Sequence, residues 1–186
     1  MNLGNFGGGC QHRFWTLDPI DGTEGFLNQR QYAICLALII HGSVELGVLA
    51  CPNLPCSGVI PDEHNFMDRG CILHAIRGHG AFQEPILFEE GLKPTLKRSN
   101  LSTIFNSFYN ATFCESYNPG HSDMDAHAKI AMELGLAKPS VKMDSQCKYA
   151  ILSRGDVQMY FRLPRTTHYE EKIWVLFIFR MQTYMH

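Results

Sequence analysis

The strongest candidates for catalysis are two aspartates three positions apart, Asp18 and Asp21, within the segment WTLDPIDGT. Pro19 fixes one backbone torsion and Gly22 permits a tight turn, so both carboxylates and the Ile20 carbonyl can point into one small volume. Two like charges at that distance repel each other and favour a bound cation. Because oxygen ligands without sulfur or imidazole suit Mg²⁺, the segment predicts a magnesium site formed by Asp18, Ile20 and Asp21.

A hydroxyl follows the second aspartate at Thr23, close enough in sequence to orient a water molecule at the metal. The alternative for Asp-Pro and Asp-Gly pairs is an ordinary turn with solvated side chains, since both pairs are common turn formers. For the four residues DPID alone, that alternative would be the better interpretation. The longer string around these four residues favours the metal site over the ordinary turn.

The elements that must position this segment are expected to form an antiparallel sheet. Residues 14–17 predict a short strand before the first aspartate, and the apolar residues 32–40 predict a buried strand. A turn at 41–43 leads into a partner strand, which the prolines within 51–55 are expected to end. A second hairpin is expected around the turn at 77–80.

The pattern after residue 100 changes to alternating strands and helices. Strands are expected at 113–115, 141–143 and 157–163, with one helix at 123–134, capped by Ser122, and a second from Ser145 to near Gly155. The apolar stripe of the first helix is predicted to comprise Met124, Ala128, Ala131 and Leu134. The fold class is therefore mixed α/β, with an antiparallel sheet first and alternating units afterwards.

Composition narrows the functional classes. The chain has 186 residues, 45% of them hydrophobic, which predicts a globular protein, and its net charge of −2 gives no electrostatic footprint for nucleic acid. The longest apolar run, 33–40, is far shorter than the roughly 20 residues of a membrane helix. Seven cysteines without a CxxC pair predict buried free thiols in a reducing cytosol rather than a zinc site. We expect a soluble, cytoplasmic protein without a nucleic-acid or membrane partner.

Several separate strings resemble one known family. WTLDPIDGT, followed by a Gly-Phe pair at 25–26, resembles the metal-binding signature of the inositol monophosphatase superfamily. The strings MDSQCKY at 143–149, SRGD at 153–156 and YEEKIW at 169–174 are similar to its bisphosphate nucleotidase branch, plant and fungal members above all. The resemblance extends from about residue 4 to residue 174, nearly the whole chain.

The resemblance implies a layered α/β sugar-phosphatase fold and a lithium-sensitive, magnesium-dependent phosphatase of sulfur assimilation. Such an enzyme removes the 3′-phosphate of 3′-phosphoadenosine 5′-phosphate to give AMP, and also acts on 3′-phosphoadenosine 5′-phosphosulfate. Asp18, the Ile20 carbonyl and Asp21 would hold Mg²⁺, and Asp21 and Thr23 would be catalytic. The complete protein would be a monomer acting on a small nucleotide bisphosphate, in the cytoplasm or in a chloroplast or mitochondrion.

The substrate side is expected mainly in the second half. Ser145 and Lys148, at the start of a helix, suit a phosphate or a ribose, because a helix N-terminus attracts anions. Arg162 can form a guanidinium fork with the 5′-phosphate. By resemblance, the substrate-binding residues are Gly22, Thr23, His121, Ser122, Ser145, Lys148 and Arg162. The alternatives are a solvated helix face for Lys148 and a surface or capping role for His121.

The resemblance also divides the chain. Residues 1–100 correspond to a metal-binding half, 101–174 to a nucleotide-side half, and 175–186 to an atypical tail. Family members carry further carboxylate ligands in a helical segment before the DPID motif and in an aspartate directly after the KIW string, and this sequence lacks both. We therefore expect a partial product with impaired activity. Two other functions stay open, namely an inositol mono- or polyphosphate phosphatase and a non-catalytic nucleotide-binding fragment.

Overall fold

Two sheets form the framework of the residues that the computed structural model describes, which are 12–56, 69–86, 97–98 and 107–163. The first sheet is antiparallel and its six strands follow one another in chain order. These strands are β1 (Arg13–Asp21), β2 (Ala33–Ile40), β3 (Ser43–Pro55), β4 (Arg69–Ile76), β5 (Gly80–Pro85) and β6 (Lys97–Arg98), with a one-turn helix α1 (Thr23–Leu27) between β1 and β2.

Local turns explain this order. His41 and Gly42 join β2 to β3 with φ values of 50° and 74°, as in the two-residue hairpin turns that match strand twist. The expected turn is thus confirmed, and β3 ends within residues 51–55 as expected, although only at the last of them, Pro55. The strand continues to Pro55 because its pairing with β4 shifts register between Cys51 and Pro55, and such an irregularity tolerates residues that lack an N–H donor.

The second sheet is parallel and has the order β8-β7-β9, where β7 is Phe113–Ser116, β8 is Val141–Met143 and β9 is Met159–Tyr160. The crossover helices are α2 (Met124–Glu133) between β7 and β8, and α3 (Cys147–Arg154) between β8 and β9. The predicted alternation is confirmed. The predicted strand at 157–163 is shorter than expected, since only two of its residues pair as a regular ladder.

Helix α3 joins the two sheets. Its residues from Cys147 to Leu152 are all buried. All of these residues except Lys148 share one apolar cluster with Leu49 and Leu73 of the first sheet and with Met143 of the second. Each large apolar side chain buried in this way contributes about 1.5–3 kcal/mol, so α3 fixes how the sheets sit against each other.

Helix α2 differs from its prediction. Its N-cap is Asp123, whose carboxylate accepts the Ala126 N–H at 3.0 Å, and not Ser122. His127 is the buried residue of this helix, whereas Ala128, which was assigned to the apolar stripe, is exposed. An imidazole can replace the expected apolar contact because both of its nitrogens find hydrogen-bond partners.

The expectation of buried thiols is confirmed for four of the six described cysteines. Cys51, Cys71, Cys114 and Cys147 are buried and form no disulfide, whereas Cys35 and Cys56 are half-buried. Burial raises the pKa of Cys114 to about 12. No helix within the described ranges is long and apolar enough to cross a membrane. The string at 169–174, the tail at 175–186 and most of the connection at 89–100 lie outside the described residues.

Candidate active site

The two aspartates lie where β1 ends in an irregularity. Asp18 pairs with Cys35 of β2 and Asp21 with Ala33, so β1 contains one extra residue over that interval. The Asp18 carboxylate accepts the Ile20 N–H at 3.2 Å, which tightens the turn. Both aspartates and Ile20 line one cavity of about 430 Å³. The bulge therefore brings the three groups of the predicted metal site to one volume.

Gly22 lets this turn approach the second half of the molecule. Its φ of 85° lies in the left-handed region, and a Cβ placed there would be 2.5 Å from the Cβ of Ser145. At the same place the Asp21 carboxylate accepts the backbone N–H of Gln146, the N-cap residue of α3, at 2.5 Å. The carboxylate turn and the start of α3 are therefore in direct contact.

Another part of the cavity wall includes the predicted nucleotide-side residues Ser145 and Lys148. Ser145 adopts a φ of 59°, and its hydroxyl accepts the Cys147 N–H at 3.2 Å. Lys148 is only 6% exposed, and its ammonium donates to the Met143 carbonyl at 3.1 Å. Burial lowers the pKa of Lys148, opposed by nearby acidic groups, Cys114 and Asp21 first among them. A solvated helix face, the alternative for Lys148, is therefore excluded.

Arg162 lines the same cavity beside Tyr160, two residues earlier in the chain. Burial raises the pKa of Tyr160 to about 12, against the opposing effects of the Arg162 charge and of hydrogen bonds from Arg162 and Ser116. The phenol also lies near Lys148, whose ammonium is 5.8 Å from the ring centroid. The aromatic ring thus adjoins both cationic groups of this wall.

Two predicted substrate residues have other positions. Ser122 is 1% exposed, and its hydroxyl is engaged by His127 and by the backbone of Leu163. It does not line the cavity, so the structure gives no support to the prediction that it contacts substrate. His121 lies in a 3₁₀ turn, Pro119–His121, and its role stays a prediction.

Several cavity residues were absent from the sequence-based prediction, namely Glu24, Ser116, Asp144, Tyr149 and Tyr160. Arg30 joins two of them, since its guanidinium lies 3.2 Å from Glu24 and 2.8 Å from Asp144. It also lies 4.2 Å from the Tyr117 ring centroid. One signal was present in the sequence. Tyr160 precedes Arg162 by two positions, which places both on one face of an extended segment.

The cavity lining carries more negative than positive charges, which favours a bound cation. Its lining contains four carboxylates, Asp18, Asp21, Glu24 and Asp144, against the two cations Lys148 and Arg162. Arg30 forms ion pairs with both Glu24 and Asp144, and its single positive charge offsets one of these two negative charges. An anionic ligand would therefore meet repulsion mainly from Asp18 and Asp21 unless a positive ion lay between them.

The donor atoms match a hard divalent cation in kind, because two carboxylates and a backbone carbonyl supply only oxygen. They are few in number. Within the described ranges, no three His, Cys, Asp or Glu side chains come together as a metal-binding group. The described residues thus fit a divalent cation as part of its coordination shell.

Comparison with known proteins gives one family for nearly the whole chain, since the model of the inositol monophosphatase family matches residues 3–174. The chain is 44% identical over 174 residues to the 3′(2′),5′-bisphosphate nucleotidase of Schizosaccharomyces pombe, which covers 94% of this chain and 47% of that protein. It is 41% identical over 177 residues to 3′(2′),5′-bisphosphate nucleotidase 1 of Arabidopsis thaliana, with coverages of 94% and 48%. The chain spans about half the length of these curated relatives.

Solved structures show the same fold at low sequence identity. CysQ from Bacteroides thetaiotaomicron, a bacterial member of the inositol monophosphatase family, matches with a TM-score of 0.56 at 18% identity, over 81% of this chain and 52% of that one. SuhB from Mycobacterium tuberculosis matches with a TM-score of 0.54 at 18% identity, over 81% and 54%. At such identities the likeness concerns the fold alone.

Proposed function

Because the chain belongs to the inositol monophosphatase family, we propose that it acts in magnesium-dependent removal of the 3′-phosphate from 3′-phosphoadenosine 5′-phosphate, which gives AMP. The predicted family and its layered α/β fold are confirmed by the family match and the solved structures. The substrate follows the names of the relatives, of which this chain spans about half. The corresponding phosphosulfate is proposed as a second substrate.

The observation that most supports this proposal is the composition of one cavity. One part of its lining consists of Asp18, Asp21 and Thr23 from the turn after β1, and a second part includes Lys148 and Arg162 from the second half of the chain. A nucleotide with two phosphates presents two anionic ends, and a site with a cation-binding part and a cationic part can neutralise both. A ligand with a single phosphate would leave one of these parts without an anion.

We propose that Asp18, the Ile20 carbonyl and Asp21 hold Mg²⁺, which when bound neutralises phosphoryl oxygens and makes a water molecule more acidic. The chain's own residues then orient the reacting groups. The Thr23 hydroxyl can orient the attacking water in the same part of the lining. The Asp21 carboxylate is itself fixed by the Gln146 N–H, so its position does not have to be reached during the reaction.

In the second part of the lining, Arg162 is proposed to bind the 5′-phosphate, since a guanidinium matches phosphate geometry. Lys148 is proposed to bind the same end of the nucleotide as a buried point charge. Ser145 adds a hydroxyl at the start of α3, where backbone N–H groups favour an anion. Tyr160 adjoins both of these cations.

The test is phosphate release by the full-length protein from 3′-phosphoadenosine 5′-phosphate and from inositol monophosphate, each with and without Mg²⁺. We expect magnesium-dependent turnover of the bisphosphate and inhibition by lithium. Robust turnover of inositol monophosphate with none of the bisphosphate would instead favour an inositol phosphate phosphatase. Nucleotide binding without any turnover would indicate a non-catalytic nucleotide-binding protein.

Arg162→Ala tests the substrate end. Truncation of a buried phosphate contact should weaken binding of the bisphosphate by about 2–5 kcal/mol. Arg13→Ala is the matched control, because Arg13 is an exposed arginine at the start of β1, away from the cavity. An Arg162→Ala protein with an unchanged KM for the bisphosphate would remove Arg162 from the proposed site.

A further inference from the structure

A buried chain of hydrogen bonds lies outside the cavity and links three side chains of the second half. His127 Nδ1 lies 2.8 Å from Glu115 Oε2, and His127 Nε2 lies 2.8 Å from Ser122 Oγ. Ser140 donates to the other Glu115 oxygen at 2.7 Å. Glu115, His127 and Ser122 are 6%, 1% and 1% exposed. Such burial keeps substrates away, so the Ser-His-Glu order does not make Ser122 a nucleophile.

The chain ends on the backbone of Leu163. The Ser122 hydroxyl accepts the Leu163 N–H at 2.7 Å and donates to the Leu163 carbonyl at 2.9 Å. The same carbonyl accepts the Asp123 N–H at 3.2 Å. Leu163 is therefore held on both its backbone polar groups by the segment that begins α2.

The proton count shows how tightly this arrangement is defined. A serine hydroxyl has one proton, and here it is given to the Leu163 carbonyl. While the proton is given there, the Ser122 oxygen can only accept at His127 Nε2, and Nδ1 faces the Glu115 carboxylate.

Leu163 directly follows Arg162, which lines the cavity. The regular part of β9 ends at Tyr160, so the bonds to Leu163 begin where the strand ladder ends. On its other side, Arg162 contacts the Tyr160 phenol. Arg162 is thus held by the Tyr160 contact on one side and by the hydrogen bonds of the adjacent Leu163 on the other.

We propose that Ser122, His127 and Glu115 are positioning residues for Arg162, acting through Leu163 to hold the guanidinium at the cavity wall. The proposal deepens the proposed function, since it concerns how the phosphate-binding end of that site is preorganised. Preorganisation of a binding group lowers the ordering penalty when the ligand arrives. Ser122 therefore acts on the substrate at one remove, without the direct contact that the sequence suggested.

The first experiment uses the ligand-free, full-length protein. Ser122→Ala removes one hydroxyl and leaves the His127–Glu115 pair in place, so folding should survive. We expect amide exchange of Leu163 to become about fivefold faster, the factor that corresponds to one hydrogen bond of about 1 kcal/mol. The NMR order parameter of the Arg162 Nε–H bond should fall. Ser153→Ala is the matched control, since that hydroxyl donates to the Ala150 carbonyl within α3.

The second experiment measures steady-state kinetics with 3′-phosphoadenosine 5′-phosphate. Ser122→Ala should raise KM about fivefold with kcat nearly unchanged, while Ser122→Thr, which restores a hydroxyl, should recover most of the loss. In an Arg162→Ala background, Ser122→Ala should have no further effect on KM. A merely structural role would instead reduce activity equally in both backgrounds.

The outcomes separate this inference from the proposed function. An unchanged Leu163 exchange rate or an unchanged Arg162 order parameter in Ser122→Ala would overturn the inference, whatever the enzyme does. Persistence of the KM effect in the Arg162→Ala background would also overturn it. Absence of turnover by the wild-type protein would overturn the proposed function, and the ligand-free measurements would then decide the positioning of Arg162 alone.

Discussion

The two regions of the molecule bury different kinds of side chain. In the first region, residues 12–98, the buried core consists of apolar residues and thiols such as Ala33, Leu49, Cys51 and Leu73. All the buried polar and charged side chains that the described structure contains, Glu115, His127 and Lys148 among them, belong to the second region, residues 107–163. The first region is held by apolar area, which tolerates small losses. The second depends on pairing, where one deletion leaves a buried group without its partner.

The regions also supply chemistry in different ways. The first contributes a contiguous turn from Asp18 to Thr23, whereas the second assembles a wall from positions as far apart as Ser116 and Arg162. A contiguous turn can be moved by one local change. An assembled wall is moved by changes in the buried pairs that fix its elements.

The largest expected effect tests the contrast in burial. His127→Phe keeps a ring but leaves Glu115 buried without its imidazole, and should lower the free energy of unfolding by about 3–5 kcal/mol. The matched change in the first region is Glu45→Gln, which breaks the Arg77–Glu45 pair, whose side chains are 27% and 33% exposed. That change should cost about 1 kcal/mol or less. Urea unfolding of both variants measures the difference, and equal effects would dissolve the contrast between the regions.

The next effect tests the contiguous turn. Asp21→Asn keeps the shape and the acceptor for the Gln146 N–H but removes the charge, so turnover should fall about 10²–10³-fold, or about 2.7–4 kcal/mol. Thermal unfolding should show a folded protein. Asp125→Asn, at an exposed position in the first turn of α2, is the control. Phosphate release from the bisphosphate with Mg²⁺ is the measurement, and a loss below tenfold would argue against Asp21 as a metal ligand.

A smaller effect concerns the contact between the regions. Gly22→Ala should destabilise the protein by about 2–3 kcal/mol, because it combines left-handed strain with a clash against Ser145. Gly78→Ala is a matched control, since Gly78 has a φ of 75° but no atom within 4 Å of the added Cβ. The control should show the strain alone, about 1–2 kcal/mol. Denaturant unfolding measures the loss of unfolding free energy in both variants. Equal losses would show that the structure relieves the clash with Ser145 at no cost in stability.

The smallest effect is a dependence on pH. Burial lowers the pKa of Lys148 below its ordinary value of 10.5, so the unfolded chain holds this proton more firmly than the folded protein. The contribution of Lys148 to stability therefore rises with pH between the lowered pKa and 10.5, and it is least favourable below that window. Lys148→Met should remove this slope, whereas Lys129→Met, at an exposed position on α2, should keep it. Unfolding free energies across pH 7–10 provide the comparison, and parallel curves for wild type and Lys148→Met would contradict the prediction.

Much of the fold follows from local patterns that a sequence displays. The strand at 32–40, the turn at 41–43 and the hairpin around 77–80 were predicted because each depends on neighbouring residues. The sequence did not specify how far into residues 51–55 β3 continues, since the shift of register that tolerates its prolines depends on pairing with β4. The burial of His127 was missed for a similar reason. Its partners Glu115 and Ser122 lie on other elements, and periodicity treats an imidazole as polar.

The candidate site divides in the same way. The convergence of Asp18, Ile20 and Asp21 was visible because a bulge needs only a short string of suitable residues. The burial of Lys148 and the position of Tyr160 depend on how α3 packs between the sheets. Ser122 was placed beside the substrate by resemblance alone, and its hydroxyl instead binds Leu163. Sequence therefore predicts groups that one turn brings together better than groups that packing brings together.

The bond between Asp21 and the Gln146 N–H joins residues 125 positions apart, and it has a consequence for the order of folding. Contacts between distant residues close large loops and form late, whereas the hairpins of the first region need only short loops. We expect the carboxylate turn to exist as a hairpin end before α3 arrives and completes the cavity. Under the proposed function, a newly made chain would then be unable to hold cation and nucleotide together until this long-range contact forms. Ligand binding would stabilise only the fully folded state. In a refolding experiment, the circular dichroism signal of the sheet should therefore appear first, and stopped-flow measurements should detect nucleotide binding only later.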